Sequence, residues 1–387
     1  MYNLLITTLC SLLLSTCIHA YKFDLISLHD VMLQHPDVTY LKCHDVQSFD
    51  YEPFPASILP KLQPNKGLFA ETFVVNIPNG QVASTYGWVL FNNKVIQEFI
   101  SQDQPLEPQR ELFDQKILPS IKKISGKVVV LTRIDYNCFG HWMHDIMARL
   151  ALLEMHDIEY DWIYVTNHKK YMKETLAIWG IDPKKIIEPF DEFAYIQADE
   201  LIVPSLPFRR IPEPNTLFSP WSPLANYFPT WIIEYLRSKC LPAAEKIADK
   251  YTFSKRIFIS RKDTNLRNMI NEDEVFSLFE PYGFKRYCLG QMSILEQVLL
   301  FKDAEIIIAA HGSGLTNLIF CKEGTRLIEI FQARSDCSYW YSSQTLGLDY
   351  HYILTMPFKF DCFAPDSTTV SIPLIQNFIE KNAQLFE

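Results

Sequence analysis

From Lys127 onward, short continuous apolar runs alternate with longer stretches of helical period. Val128-Val129-Val130-Leu131 has no polar interruption, the pattern of a strand covered on both faces. A helical stretch over 141–155 follows, then a strand at 162–165, a helix near 171–179 and a strand at Ile186-Ile187. Such alternation implies a parallel sheet. The last third repeats the rhythm, with strands at 257–259, 284–288, 305–309, 326–331 and 350–354. Asn271-x-x-Glu274 and Ser293-x-x-Glu296 read as capping boxes opening two of its helices. Five such units make a doubly wound α/β domain. Residues 203–229 break the pattern: Pro204, Pro207, Pro212, Pro214, Pro220, Pro223 and Pro229 predict an ordered loop or inter-domain connection. A helix from near Thr230 then carries Trp231, Ile232, Tyr235 and Leu236 on one face. Upstream of residue 126 only short strand-like runs stand out, Phe73-Val74-Val75 and Trp88–Phe91, separated by the turn Pro78-Asn79-Gly80. The expected architecture is two Rossmann-like α/β domains facing across a cleft, at residues 21–225 and 226–387.

Residues 1–20 stand apart. The nearly unbroken apolar run of residues 4–18 is short for a membrane span and suits a signal-peptide core, with Ala20 before a cleavage point. Against this, Met1-Tyr2-Asn3 lacks a basic residue, and Leu14-Ser15-Thr16-Cys17 matches a lipoprotein box only in part. An uncleaved anchor and a plain N-terminal strand or helix are the other readings. The expectation is export or membrane association through this segment, and otherwise a cytoplasmic chain.

Charge excludes one class of partner. Lys+Arg number 36 against 45 Asp+Glu, and a net charge of −9 argues against a general nucleic-acid binder. A local basic pocket for phosphates is still allowed. Apolar residues at 48% and aromatic residues at 14% are enough for large cores, which excludes wholesale disorder. Without residues 1–20, the cysteines are Cys43, Cys138, Cys240, Cys288, Cys321, Cys337 and Cys362, an odd set that leaves one free or paired between chains. There is no CxxC, so structural zinc is not expected. Cys288 and Cys321 lie in apolar patterns and read as buried, inert thiols.

Three constellations carry chemistry. His311-Gly312-Ser313-Gly314-Leu315-Thr316-Asn317 follows a strand and precedes an apolar helix. Gly-rich turns there let backbone N–H groups approach a phosphate, and a tight turn with a locally bonded His311 is the alternative. Ser313 is no hydrolase nucleophile, because the flanking elbow positions are His311 and Leu315 rather than glycine. Ser260-Arg261-Lys262-Asp263, with Arg267 beyond, brings cations to the same crevice or forms a solvated charged loop. His141-Trp142-Met143-His144-Asp145 opens a helix, and His141 and Asp145 share one face. That pair is a candidate general base, a metal site with His144, or a helix-end hydrogen bond.

Together these residues resemble glycosyltransferase family 61. The match runs through His141, Asp145 and Ala148-Arg149-Leu150, then Ser260-Arg261, Arg267 and Asn271-Glu272. It continues with Glu296-Gln297, Leu300-Phe301, His311 to Asn317, and Gly324 to Ile330. Ser313 stands where the family usually has Ala. The resemblance covers about residues 127–356 and implies a GT-B fold and inverting transfer from a nucleotide-sugar, usually a UDP-sugar, to a glycan or protein hydroxyl. It implies Asp145 as base with His141 orienting it, or the reverse. It further implies Arg261 and Arg267 on the leaving diphosphate with no metal, and His311, Gly312, Ser313, Gly314, Thr316 and Asn317 around the nucleotide-sugar. Glu329, at the end of a strand, is assigned to the ribose hydroxyls. Two other classes remain: a non-catalytic carbohydrate- or nucleotide-binding relative, and a nucleotide-dependent oxidoreductase, against which the missing G-x-G-x-x-G counts.

Overall fold

The computed structural model of the chain describes residues 24–55, 66–100, 120–211, 228–264, 268–331, 337–355 and 367–387. The apolar run of residues 4–18, Arg267, Cys362 and residues 212–227 of the proline-rich stretch lie outside them.

The first half contains β1 (Asp24–Ile26), β2 (Thr39–His44), β3 (Gln47–Asp50), β4 (Lys66–Phe69), β5 (Thr72–Pro78), β6 (Gln81–Ala83), β7 (Trp88–Phe91) and β8 (Lys94–Ile96). It continues with β9 (Lys122–Val130), β10 (Trp162–Tyr164), β11 (Ile186–Ile187), β12 (Tyr195–Pro204) and β13 (Arg210–Ile211). The second half contains β14 (Arg256–Ser260), β15 (Lys285–Cys288), β16 (Ile306–Ala310), β17 (Arg326–Phe331) and β18 (Asp349–Leu354).

Two parallel-rich sheets result, in a mixed α/β fold. The first has a parallel block β12-β9-β10-β11, whose β12 edge is extended by antiparallel β5 and β6 and then by β7, β8 and β1. It is therefore more mixed than a simple Rossmann sheet. Val128, Val129 and Val130 are buried at its centre, as a strand covered on both faces must be. The second sheet is wholly parallel among the described residues, in the order β15-β14-β16-β17-β18. A small sheet, β13-β4-β3, stands beside them, so part of the proline-rich stretch is strand: β12 ends at Pro204 and β13 occupies 210–211.

One apolar core joins the two halves. Leu131, Trp142, Met147 and Ile163 from the first meet Leu236 and Cys240 of the helix Thr230–Glu245, and Ile257, Val298 and Leu318 from the second. Trp142 is fully buried, and its indole N–H donates to Thr175 Oγ1 at 2.7 Å. Replacing it with alanine costs about 3–5 kcal/mol by cavity formation. The chain also crosses back on itself: the Trp340 indole and the Gln344 amide donate to the Glu52 carbonyl, and Phe54 packs among Phe331, Trp340, Tyr350 and Tyr352. Residues 47–55 thus lean on the second half.

Two local readings differ from the structure. Ser293 forms its capping box with Glu296, but Asn271 does not cap its helix. The Asn271 side chain instead bonds the backbone N–H and C=O of Val370, and a long-range partner displaces the local one. Cys321 is buried as expected, whereas Cys288 is partly exposed.

Candidate functional site

In a doubly wound sheet, ligands bind outside the carboxyl ends of the strands where the strand order reverses. Each sheet here has one such crevice. In the first it lies between β9 and β12, and the buried Arg149 guanidinium fills it, donating to the carbonyls of Leu131 and Pro204. Burial and the neighbouring Arg133 push Arg149 down to about 9, which leaves it charged at neutral pH. In the second sheet the crevice lies between β14 and β16, and it is open.

That second crevice is one wall of a cavity of about 410 Å³ between the halves. The second half contributes Ser260, Arg261, Gly290 and Gly312 to Leu315; the first contributes Asn137, Cys138, Phe139, Lys169 and Tyr171. Arg261 is fixed by its own backbone, whose N–H donates to Glu272 Oε2 at 2.9 Å, while Ser260 Oγ donates to Glu272 Oε1 at 2.6 Å. Its guanidinium lies against Gly312, where any Cβ would collide with Nη1. The Gly312 backbone is extended, so it is this close approach and not backbone strain that favours glycine there, because a side chain would displace the guanidinium. After the turn, Ser313–Phe320 forms a 3₁₀ helix.

Thr316 and Asn317 are buried and absent from the cavity wall. Asn317 braces the turn, donating to Gln297 Oε1 at 2.9 Å and to the Gly314 carbonyl at 3.0 Å. Glu329 is also buried, accepting from His311 Nδ1 at 2.5 Å and from the Tyr350 hydroxyl at 2.6 Å. Both its oxygens are occupied, so a ribose role is not supported, and it forms a second histidine–carboxylate pair instead. Burial and that carboxylate raise the Tyr350 hydroxyl well above its usual range. Tyr339 donates to the Gly312 carbonyl at 2.7 Å, so the turn is held from below by side chains on three elements.

The His141 helix follows β9 and is irregular. It is α-helical at Phe139–His141, widens to a π turn over Trp142–Ile146, tightens to 3₁₀ at Met147–Arg149 and resumes at Leu150–Glu154. Such π turns concentrate at functional sites. His141 Nδ1 meets Asp145 Oδ2 at 2.8 Å. Asp145 is only 1% exposed and also ion-paired with buried Arg133, while His141 is 20% exposed. A carboxylate accepts only, so Nδ1 carries the proton and neutral His141 keeps its lone pair on Nε2. His144 does not join them. Its ring lies 3.8 Å from that of Phe228, and burial pushes it down to about 3, a neutral core histidine.

Residues 139–328 match the family described as Glycosyltransferase 61. These residues belong to glycosyltransferase family 61. The chain is 26% identical over 132 residues to the EGF domain-specific O-linked N-acetylglucosamine transferase of Drosophila melanogaster, covering 33% of this chain and 24% of that protein. It is 24% identical over 103 residues to the mouse enzyme of the same description, covering 25% and 19%. To a beta-1,2-xylosyltransferase of Arabidopsis thaliana it is 29% identical over 97 residues, covering 21% and 18%. The matches thus span a quarter or less of these relatives' length.

The family 61 region contains both the His141–Asp145 pair and the Arg261–Gly312 wall, but of these only the wall lines the cavity: His141, Asp145 and His311, like Thr316 and Asn317, are not among its lining residues. Sequence reasoning missed Arg133, Lys169 and Tyr339. Arg133 was within reach of a positional rule: it lies just past the carboxyl end of β9, as Arg261 lies past β14.

Proposed function

We propose that the chain is an inverting glycosyltransferase of GT-B type that moves a sugar from a UDP-sugar to a glycan or protein hydroxyl. The observation that carries this is the open crevice at the β14–β16 switch point, walled by Arg261 and the Gly312–Gly314 turn. A guanidinium beside the backbone of a Gly-rich turn suits a diphosphate, and its charge stabilises the departing group in the transition state. Arg267 belongs to the same proposal by its motif.

His141 is the general base, and Asp145 holds its ring and tautomer. This reverses the first assignment of the sequence reading. A carboxylate ion-paired with Arg133 and closed from solvent is a weak proton acceptor, whereas a partly exposed imidazole backed by a carboxylate is a strong one. N-acetylglucosamine and xylose, named in the relatives' descriptions, are the first donors to try. Export or membrane association through residues 1–20 completes the proposal.

The test is transfer from UDP-N-acetylglucosamine and UDP-xylose to a panel of glycans and EGF-type domains, followed by anomeric analysis of the product. Inverted product from wild type, lost in His141→Ala with UDP binding intact, supports the reading. Retained configuration refutes the inverting assignment, and full activity in His141→Ala refutes the base.

A further inference from the structure

We propose that Lys169 is a second phosphate-binding cation of the donor site, supplied by the first half of the chain to the cavity that Arg261 lines from the second. This rests on the donor-site reading above and adds a residue to it.

Lys169 immediately precedes the helix Lys170–Ile178 and lines the cavity beside Asn137 and Tyr171. Its ammonium donates to the Asn137 carbonyl at 2.9 Å and lies 5.8 Å from the centre of the Tyr171 ring. The Tyr171 hydroxyl donates to the same carbonyl at 2.9 Å, so the lysine is held in position. Several lysines of the chain have carboxylate partners, among them Lys42 with Asp45, Lys255 with Glu305, Lys262 with Asp273 and Lys322 with Asp303, while Lys185 donates instead to a carbonyl beside an aromatic ring. Lys169 has none within ion-pair distance among the described residues, although it is partly buried. Burial pushes its pKa down, the direction of a partly desolvated ammonium. An anion entering the cavity offsets that cost.

The same helix ties this cation to the opposite wall. Glu174 accepts the backbone N–H of Ile294 at 2.9 Å, at the first residue of the helix Ile294–Lys302. The segment before that helix reaches the Arg261 loop in turn, the Gly290 N–H donating to Asp263 Oδ2 at 2.7 Å, so Lys169 and Arg261 are joined through residues 290–294. The ligand that fits is a diphosphate, free or within a nucleotide.

The experiment is calorimetric titration of the full chain with inorganic pyrophosphate, UDP and uridine. The principal variant is Lys169→Gln, which keeps an N–H donor for the Asn137 carbonyl while removing the charge. Lys169→Arg restores the charge, and Lys173→Met is an exposed control on the same helix. The expected result is about tenfold weaker pyrophosphate and UDP binding in Lys169→Gln. Uridine binding stays unchanged, affinity largely returns in Lys169→Arg, and Lys173→Met and the melting temperatures match wild type. Wild-type affinity in Lys169→Gln, alongside loss in Arg261→Ala, overturns this inference and leaves the donor site standing. Equal loss of uridine overturns it in favour of a structural role. Failure of wild type to bind either pyrophosphate or UDP overturns the donor-site reading itself, and this inference with it.

Discussion

The Arg261 guanidinium occupies the space at Gly312 where a side chain would begin. The cation therefore depends on the turn, since a side chain at Gly312 would displace the guanidinium. Gly312→Ala drives the guanidinium out of place while leaving every polar side chain intact. The expected outcome is a loss of UDP affinity approaching that of Arg261→Ala, with little added loss in the double variant. Two single losses that simply add in calorimetry would mean that the residues act separately.

His141 and Asp145 are expected to separate by what else each holds. His141→Ala lowers kcat by about 10²–10⁴-fold with little change in stability. Asp145→Asn lowers it comparably, but it also leaves Arg133 buried without its carboxylate, a defect that costs about 3–5 kcal/mol. Steady-state kinetics beside urea denaturation checks both. An Asp145→Asn variant as stable as wild type would show that the ion pair is not what fixes this carboxylate.

His144 predicts an acid limb in stability. Its folded-state pKa, pushed down to about 3, lies below the ordinary value of 6.5, so the unfolded chain binds a proton that the folded chain refuses. The associated stability is fully present above about pH 6.5. It is lost as pH falls from there toward 3, by up to about 1.4 kcal/mol per pH unit. His144→Phe removes this component. The difference between the urea midpoints of the two proteins should move in favour of His144→Phe as pH drops from 7 to 4, and parallel curves would contradict the assignment.

Gly140 sets how closely the two halves approach. A Cβ there would stand 3.1 Å from Thr316 Oγ1, on the 3₁₀ helix of the other half. Gly140→Val is expected to cost about 1–3 kcal/mol by overpacking and to lower activity by widening the cavity. Thr316→Ala in the same background should recover part of both.

How much of this was legible follows from which interactions are local. The three inner strands of the second sheet, β14, β16 and β17, are mostly apolar runs buried on both faces, and β17 coincides with its predicted range while the other strands shift by a residue or so. The pairing of β5 with β12 joins segments more than 120 residues apart, and no periodicity encodes it. His141 and Asp145 were readable as a pair from their spacing, but their roles were not. The deciding partner, Arg133, comes from another element. The surroundings of Glu329 were hidden for the same reason, because Tyr350 and His311 reach it from other segments of the chain.

The most direct test of the central claim is calorimetric titration of the full chain with UDP in EDTA, beside Arg261→Ala. The account predicts saturable binding that survives the chelator and disappears in the variant. A folded protein that binds no UDP, or that binds it equally well without Arg261, would contradict it.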